Sequence, residues 1–586
     1  MNSETKVCQN CKQNFTIEPD DLSFYFKINV PSPTFCPDCR RQRRMLFRNE
    51  RSLYKRACDL CHENIISMYP SGTLFPVYCT ECWWSDKWDA GTFSRDYDFS
   101  RPFFVQFKEL LNVVPRIHLM QRKSVNTPYA NHLGESKNIY LSYSVVDGED
   151  VYYSKMIDKS IKIFDSLNST DSQNCYEIID GEKDYNCAFL IRSHSCLDSR
   201  FLFDCVNCRN CFMSSNLRNK EYMIRNKQYS KDEYQAQIKS FNTKSFSQIE
   251  NLKSEFNKLI EESLHKYANI IKSVKTTGDN LISSKNCRAC FDLRDIENVS
   301  YIFRGFGLKD SADIDFTIMS ELIYEYVTSG RNNYLVRFAV CSFQAARDTY
   351  YTDSCASVGH IFGCVGVRSK EYCILNKQYS KDEYERLIEK IKLQMDEMPY
   401  KDTLGHTYKF GEFFPIEISP FAYNETIAQE YFPLKKEEAQ QKGFKWKELE
   451  KKAYSINISS TNIADNLDEV KNDIFEKVIS CAHEGNCSEQ CATAFRILPE
   501  ELQFYQQMNL PLPRLCPNCR HYQRLKQRNP LKLWHRKCLC DYKTYQNITK
   551  HAHHPTGRCP NEFETSYSPD RKEIIYCESC YQAEIV

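Results

Sequence analysis

The sequence lacks the features that mark membrane-spanning, secreted and strongly charged proteins. It contains no run of about eighteen apolar residues of the kind that forms a transmembrane helix. Its first residues, MNSETKVCQNCKQNF, show no basic segment followed by an apolar one, so we expect no export and a cytoplasmic, reducing location. The 78 Lys and Arg residues against 77 Asp and Glu leave a net charge of +1, so electrostatic binding has to be local.

The familiar catalytic signatures are missing as well. The sequence has no P-loop, dinucleotide fingerprint, nucleophile elbow or HExxH motif, and nothing in it indicates a small-molecule cofactor. Catalytic groups that come together from distant loops escape such a scan, so an enzyme of unknown class stays a third alternative. We expect a non-enzymatic protein.

Cysteine, by contrast, is abundant, with 30 residues in a chain of 586. A chain of this length is expected to form several domains. A disulfide framework suits a short secreted scaffold, whereas cysteines in a long chain without an export signal favour metal ligation. The cysteine pattern therefore predicts a zinc protein.

The two ends of the chain are copies of one module. Residues 11–56 align without a gap on residues 491–536, so that the CPDC pair at Cys36 coincides with the CPNC pair at Cys516. The aligned copies also share Phe, Pro, Phe-Tyr and Arg positions. Such a match predicts one duplicated cysteine-rich double module.

Each module is predicted to hold two zinc ions, because two Cys-x-x-Cys pairs supply the four thiolates of a tetrahedral site. The N-terminal sets are Cys8, Cys11, Cys36, Cys39 and Cys58, Cys61, Cys79, Cys82, with an interleaved pairing left open. The C-terminal sets are Cys487, Cys491, Cys516, Cys519 and Cys538, Cys540, Cys577, Cys580. Alternative ligands of the last site are Cys559, His551, His553 and His554, and Cys481 stays unassigned. The chain is thus expected to bind about four Zn2+ ions. Four thiolates leave no open coordination position, so these ions are expected to be structural.

A second duplication organises the middle of the chain, where NKQYSKDEY occurs at Asn226–Tyr234 and again at Asn376–Tyr384. Short β-like segments precede each copy at intervals of roughly nine to fifteen residues, and many follow an Asn or Asp. This pattern favours a stacked β-solenoid over a meander or sandwich. A helix is predicted after each repeat, with Ser230 or Ser380 as its N-cap.

The predicted fold class is mostly β with some α: duplicated zinc-binding modules at both ends flank two short β-solenoid-like repeats, each followed by helix. The predicted boundaries are 1–98 for the first double module, 99–134 for a linker, 135–228 for the first repeat, 229–276 for a helical segment, 277–378 for the second repeat, 379–399 for a helix, 400–475 for an aromatic and proline-rich connector, and 476–586 for the second double module.

The cysteines of the repeats have a different pattern. Cys175, Cys187 and Cys196 are spread along the first repeat and are expected to point inward as small apolar residues. For the cluster Cys205, Cys208, Cys211 and the pair Cys287, Cys290, metal binding is the alternative to burial, although neither group offers four ligands.

Each module also carries a basic stretch, with eight basic residues between positions 40 and 56 and seven between positions 520 and 537. The matched arginines lie at i, i+4 and i+8, which is one face of a helix. They are Arg40, Arg44, Arg48, Arg520, Arg524 and Arg528. One interpretation is contact with the phosphates of RNA or single-stranded nucleic acid. The other is that these arginines pair with acids of the repeats.

Both ends resemble a zinc-ribbon domain of many bacterial proteins, through an early cysteine pair, a central Phe-Tyr and a closing CPxCR. The whole chain is similar to an uncharacterised bacterial family with several zinc ribbons. The segments that carry this likeness are FCPDCRRQRRMLFRNERSLYKR, YCTECWWSDKWD, NKQYSKDEY, GEFFPIEISPFAYNETIAQEYFP, LPLPRLCPNCRHYQRLKQRNPLKLWHRKC and NEFETSYSPDR. The resemblance implies zinc binding and supplies no activity or catalytic residues.

The sequence thus predicts a zinc-stabilised binding protein that contacts RNA or single-stranded nucleic acid through its arginines. A protein-interaction scaffold built on the repeats is the alternative.

Overall fold

The computed structural model describes residues 2–328, 330–448 and 454–586. Positions 1, 329 and 449–453, which fall in the predicted first module, second repeat and connector, lie outside the described residues. The chain divides into two compact units. Unit 1 comprises Met1–Gln121, Ala268–Lys447 and Leu531–Leu533, and unit 2 comprises Arg122–Tyr267, Glu448–Pro530 and Trp534–Val586. Each unit combines one cysteine-rich end of the chain with one repeat.

Strand exceeds helix among the described residues, and the repeats supply most of the strand. In the first repeat, strands pair in parallel with partners twelve residues ahead, as Tyr143 with Lys155 and Lys155 with Leu167. The strands of its sheet are Gln121–Arg122, Asn131–Gly134, Lys137–Tyr140, Tyr143–Val146, Glu149–Tyr152, Lys155–Asp158, Ile161–Phe164, Leu167–Thr170, Gln173–Glu182, Ala188–Ile191, Arg200–Phe203, Arg209–Ser215, Glu221–Ile224 and Lys227–Gln228. Two rows of strands join in the long strand Gln173–Glu182, which pairs with both.

The backbone of this repeat bends at every third residue. From His132 to Arg225, every third φ angle lies between 43° and 62°, in the left-handed region. Asn and Asp enter that region more readily than other side chains, and β-branched residues strain it. This explains why an Asn or Asp precedes so many of the β-like segments: Asn138, Asp150 and Asn186, for example, lie at such bends.

The interior of the repeat is likewise formed by every third residue, since each residue at that spacing from Ala130 to Ser172 is buried. Its apolar members include Ile139, Val145, Val151, Ile157 and Ile163, all fully buried. Several buried serines accept hydrogen bonds from backbone N–H groups twelve residues further along the chain. The Ser142 hydroxyl accepts from the Ser154 N–H at 3.0 Å, and the Ser154 hydroxyl accepts from the Ser166 N–H at 2.9 Å.

The second repeat has the same parallel pairing, for example Lys285 with Glu297. Its partners are thirteen residues apart where Glu321 meets Tyr334. The strands of its sheet are Ile270–Ile271, Val274–Ile282, Lys285–Arg294, Glu297–Ser300, Phe303–Phe306, Lys309–Ile318, Glu321–Val327, Tyr334–Ser342, Arg347–Cys355, Gly359–Phe362, Glu371–Ile374 and Lys377–Gln378.

Short two-stranded sheets make up the rest of the strand structure. They are formed by Glu4–Val7, Asn14–Ile17, Tyr54–Ala57, Asn64–Ser67, Val77–Tyr78, Arg116–Ile117, Leu264–Lys266, Tyr400–Lys401, Thr407–Tyr408, Ile479–Ser480, Ala494–Phe495, Trp534–Lys537, Glu562–Thr565 and Ile574–Tyr576.

The α-helices of the described residues are α1 Pro19–Lys27, α2 Pro37–Met45, α3 Thr80–Trp84, α4 Phe103–Leu111, α5 Lys231–Ser240, α6 Phe246–Glu262, α7 Lys381–Glu397, α8 Ala428–Tyr431, α9 Lys436–Gln441, α10 Pro499–Met508, α11 Pro517–Lys526 and α12 Glu578–Ile585. Ser230 and Ser380 cap α5 and α7 as predicted, each in a capping box with the glutamate at the third helical position. No helix in the described ranges combines the length and apolarity that a bilayer span requires.

Two predicted boundaries differ from the structure. The segment 99–134, predicted to be a linker, contains α4 and the first strands of the repeat. The helical segment predicted to reach residue 276 ends at Glu262, because Ser263 terminates α6 and strand pairing resumes at Leu264. The apolar residues Leu264, Ile271 and Val274 fit a helical period by spacing, but they lie in strands.

Candidate metal centres and arginine clusters

Each module brings its cysteines together by the same local structure. The first cysteine of a set lies in or beside an antiparallel hairpin, and the third is the N-cap of a helix: Cys36 of α2, Cys79 of α3, Cys516 of α11 and Cys577 of α12. The positive end of a helix dipole stabilises a thiolate. The N–H of each N-cap cysteine also donates to the sulfur of the first cysteine of its set, at 3.2 or 3.3 Å.

The resulting groups can hold metal ions. They include Cys8, Cys11, Cys36, Cys39; Cys58, Cys61, Cys79, Cys82; Cys481, Cys491, Cys516, Cys519; Cys538, Cys559, Cys577, Cys580; and Cys540, His551, His554, Cys580. Within each group the ligand atoms all lie within 4.8 Å of one another. Both N-terminal sets are those predicted from the sequence, without interleaving.

The sulfur separations fit zinc. Four sulfurs at about 2.3 Å from a tetrahedral Zn2+ ion lie about 3.8 Å from one another. The structure has 3.7 Å between Cys11 and Cys36, 3.9 Å between Cys61 and Cys79, and 3.8 Å between Cys559 and Cys577. A disulfide needs about 2.05 Å, and all 30 cysteines are free. Coordination by four thiolates would make these zinc ions structural.

In each of the four all-cysteine groups one thiol has a lowered pKa, namely Cys8, Cys58, Cys516 or Cys577. A lowered pKa favours the thiolate that a metal requires. Hydrogen bonds from Cys36 and Cys39 lower the pKa of Cys8. The neighbouring Cys538 lowers the pKa of Cys577 to about 4, against the effect of burial. For Cys58, burial raises the pKa, but hydrogen bonds from backbone N–H groups outweigh it and bring the pKa to about 7.

The third set includes Cys481, which sequence analysis left unassigned. Cys481 has the position that Cys8 has in the first module, since its N–H donates to the Thr493 carbonyl at 2.8 Å and its sulfur accepts from Cys516. The predicted ligand Cys487 lies 3.8 Å from Cys519, so it borders the same group. Sequence analysis missed Cys481 because it and Cys491 are much further apart in sequence than Cys8 and Cys11, the equivalent pair of the first module.

The fourth set contains Cys559, which sequence analysis gave as an alternative, where Cys540 had been preferred. Cys538 and Cys559 take the place of the first cysteine pair of this set, although a long insertion separates them in sequence. Cys540 belongs to a second group with His551 and His554. His553, another predicted alternative, places its Nε2 atom 3.3 Å from the Cys580 sulfur.

The arginines of the N-terminal module are buried against carboxylates. In unit 1, α2 packs on the strands Lys309–Ile318 and Glu321–Val327. Arg40 contacts Asp313 at 2.7 Å. Arg44, fully buried, contacts Asp313 at 3.1 Å, Asp315 at 2.8 Å and Glu325 at 2.8 Å. Burial disfavours the charged guanidinium, but these carboxylates outweigh that effect and raise the pKa of Arg44.

The third arginine of that face, Arg48, lies past the end of α2 and contacts Glu50 of its own module at 2.7 Å. The predicted helical face therefore holds for Arg40 and Arg44 alone in this module.

The C-terminal module repeats the arrangement in unit 2. Arg520 and Arg524 of α11 both contact Asp165 of the first repeat, Arg524 at 2.7 Å. Arg528, beyond the helix end, contacts Asp180 at 2.9 Å. A phosphate could reach these guanidinium groups only by displacing an internal ion pair. Nucleic-acid contact by the six arginines stays a prediction, and their placement lends it no support.

The repeat cysteines lie in the interior, as expected for the first group. Cys175, Cys187, Cys196, Cys205, Cys208, Cys211 and Cys290 are fully buried, and Cys287 is nearly so. Burial raises the pKa of Cys175 and of Cys290, the latter to about 11. The thiols of both donate to backbone carbonyls, so these two have the bonding of small interior residues.

Comparison with known proteins adds no identification. No protein-family model matches the chain, and no curated protein matches it. Among solved structures, one described as a "putative acetyltransferase" from Desulfovibrio desulfuricans G20 is 10% identical over 49% of this chain and 86% of that chain. Its TM-score of 0.11 is too low to support any argument about fold or function.

Proposed function

We propose that the two repeats are short β-solenoids and that the two ends are double zinc-ribbon modules. The twelve-residue offset of parallel partners and the burial of every third residue support the first assignment. The helix-capping cysteine pairs and sulfur separations near 3.8 Å support the second.

The function that we infer from this architecture is that of a non-enzymatic, zinc-stabilised scaffold. In each unit a zinc module is fastened to a repeat by buried ion pairs, of which Arg44 with Asp313, Asp315 and Glu325 is the most extensive. This cluster is the observation that carries the proposal. Removing one partner of a buried ion pair costs about 3–5 kcal/mol, because the other charge is left uncompensated. The arginines therefore act as internal fasteners.

The outward surface of the repeats favours a protein partner over a polyanion. Side chains twelve residues apart form columns in which charges alternate, as Lys137 with Glu149 at 2.8 Å and Lys285 with Glu297 at 2.9 Å. Exposed Ile161 and Tyr185 lie in line with the first of these pairs. Such columns offer apolar and balanced polar contacts, whereas nucleic acid is bound by uncompensated positive charge.

Exchanging the two charges of the Arg528–Asp180 ion pair tests whether these arginines stabilise the packing of module on repeat. Arg528→Asp or Asp180→Arg alone should lower the free energy of unfolding by about 3 kcal/mol, because each leaves like charges in a buried contact. The double exchange should recover at least half of that loss. Urea denaturation measures this, with Lys532→Asp as the control, since Lys532 is an exposed basic residue of the same stretch. All variants should have equal, weak affinity for a labelled mixed-sequence RNA.

The competing outcome is equally specific. If the wild-type chain binds that RNA with a steep salt dependence, and Arg528→Asp and the double exchange weaken binding alike without changing unfolding, the arginines contact phosphate and the proposal is wrong. A protein partner should be retained after nuclease and high salt, and be lost on Tyr185→Asp.

A further inference from the structure

The second half of the C-terminal module contains an insertion that its N-terminal counterpart lacks. In the N-terminal copy, the Cys58 N–H donates to the Glu63 carbonyl at 2.8 Å across a short turn. In the C-terminal copy, the Cys538 N–H donates to the Asn561 carbonyl at 2.9 Å. Residues 540–557 are therefore inserted between two equivalent positions. The insertion contains no helix or strand, and irregular segments of this length usually have a function.

This insertion folds back so that its own donor atoms converge. The Cys540 sulfur lies 3.5 Å from His551 Nδ1, which lies 3.2 Å from His554 Nε2. His554 Nε2 lies 3.1 Å from the sulfur of Cys580. Two sulfurs and two nitrogens around a tetrahedral zinc ion are separated by about 3.3–3.8 Å. The contacts are near these values, and all four side chains are at least nine-tenths buried.

A buried carboxylate fixes the orientation of His551. Glu584 of α12 lies 2.7 Å from His551 Nε2, and both side chains are fully buried. The Glu584 carboxylate also accepts from the N–H of Ile548 at 2.7 Å. With its Nε2–H donated to Glu584, His551 directs the Nδ1 lone pair at the other three ligands. Zinc-bound histidines have this second partner, which fixes the tautomer and raises ligand basicity.

We propose that the C-terminal module holds a pair of zinc ions that share the Cys580 thiolate. One ion is bound by Cys538, Cys559, Cys577 and Cys580. The other is bound by Cys540, His551, His554 and Cys580, and it fastens the insertion to the module. Since Cys580 belongs to both groups, filling both requires a bridging sulfur. The full chain then binds five zinc ions, and this count does not depend on the proposed scaffold role.

Metal analysis of the full chain tests the pair. After equilibration with excess Zn2+ and gel filtration, the wild type should retain five equivalents. His551→Gln combined with His554→Gln should retain four, and Co2+-loaded protein should lose the absorption of one mixed Cys/His site. His535→Gln is the matched control, because His535 is an exposed histidine that contacts Glu562 and Glu564 instead of cysteines.

Two further variants keep the result interpretable. Glu584→Gln leaves every ligand in place and should weaken the last equivalent about 10–100-fold. His553→Gln should leave five equivalents. Four equivalents in both the wild type and the double histidine variant would overturn the shared-thiolate pair. A loss on His553→Gln without a loss on the double variant would do the same.

Discussion

His265 shows how a single buried side chain ties the stability of this molecule to pH. In the strand Leu264–Lys266, His265 lies fully enclosed, with Nε2 donating to the Ile260 carbonyl at 2.8 Å and Nδ1 accepting from the Tyr567 hydroxyl at 3.0 Å. Burial lowers the pKa of His265 to about 4. The native state thus holds a neutral ring, whereas a histidine in the unfolded chain has a pKa of about 6.5.

The sign of the pH effect follows from that difference. The unfolded chain takes up the proton first, so stability present above about pH 6.5 is lost as the pH falls towards 4, by up to about 3 kcal/mol. Urea unfolding in excess zinc between pH 7.5 and 5 should show this loss. His265→Gln keeps a donor for the Ile260 carbonyl and should flatten the pH dependence; equal slopes for variant and wild type would contradict this explanation.

At the residue scale, the sequence indicated which arginines lie together but not which carboxylates they contact. The spacing of Arg40 and Arg44 predicts one helical face, and the two do lie together on α2. Their partners Asp313 and Glu325 are more than 250 residues away in sequence, and only tertiary packing brings them close. Local periodicity cannot supply such a pairing.

At the scale of elements, the backbone bends of the repeats should determine their stability. Asn186 lies at a bend with φ of 51° and continues a ladder, accepting from the Asn174 amide at 2.9 Å and donating to Asp198 at 2.7 Å. Asn186→Val should cost about 2–3 kcal/mol, from lost hydrogen bonds and a left-handed β-branched residue. Asn186→Gly loses the same bonds without the strain, so it should cost about 1 kcal/mol less. Urea unfolding measures both, and equal costs would exclude backbone strain.

The strand-rich character of the repeat was predictable from the sequence, but its period was not. Aromatic and β-branched segments following Asn or Asp predicted stacked strands, and the parallel sheets agree with that expectation. The irregular interval of nine to fifteen residues concealed a regular offset of twelve, because serine and glycine occupy interior positions such as Ser142 and Gly148. Those residues do not register in a search for apolar periodicity. The clearer signal is the spacing of three between Asn or Asp residues.

At the scale of the whole molecule, the order of the chain does not follow the order of packing. The N-terminal module shares unit 1 with the second repeat, and the C-terminal module shares unit 2 with the first. The duplications reveal two modules and two repeats, but they carry no information on which pair together. The choice depends on contacts such as Tyr25 on Tyr324 and Phe504 on Phe164, between residues far apart in sequence.

Metal removal should separate the modules from the repeats. The hairpin Glu4–Val7 with Asn14–Ile17 is too short to be stable alone, and thiolate ligation supplies most of the folding energy of such modules. The repeats keep their own interior, including the serine ladder through Ser154, without any metal.

Chelation to below about 0.1 equivalents of zinc should therefore abolish amide-exchange protection in that hairpin and in α2. Arg44 would then no longer be held against its carboxylates, because the helix that carries it is unfolded. Protection in the strand Tyr143–Val146 should persist, and zinc should restore the rest. Cys39→Ser should reproduce the loss in the N-terminal module while the hairpin Trp534–Lys537 with Glu562–Thr565 stays protected. A metal-free chain that retains full protection in Glu4–Val7 would show that the cysteine sets do not hold their modules together.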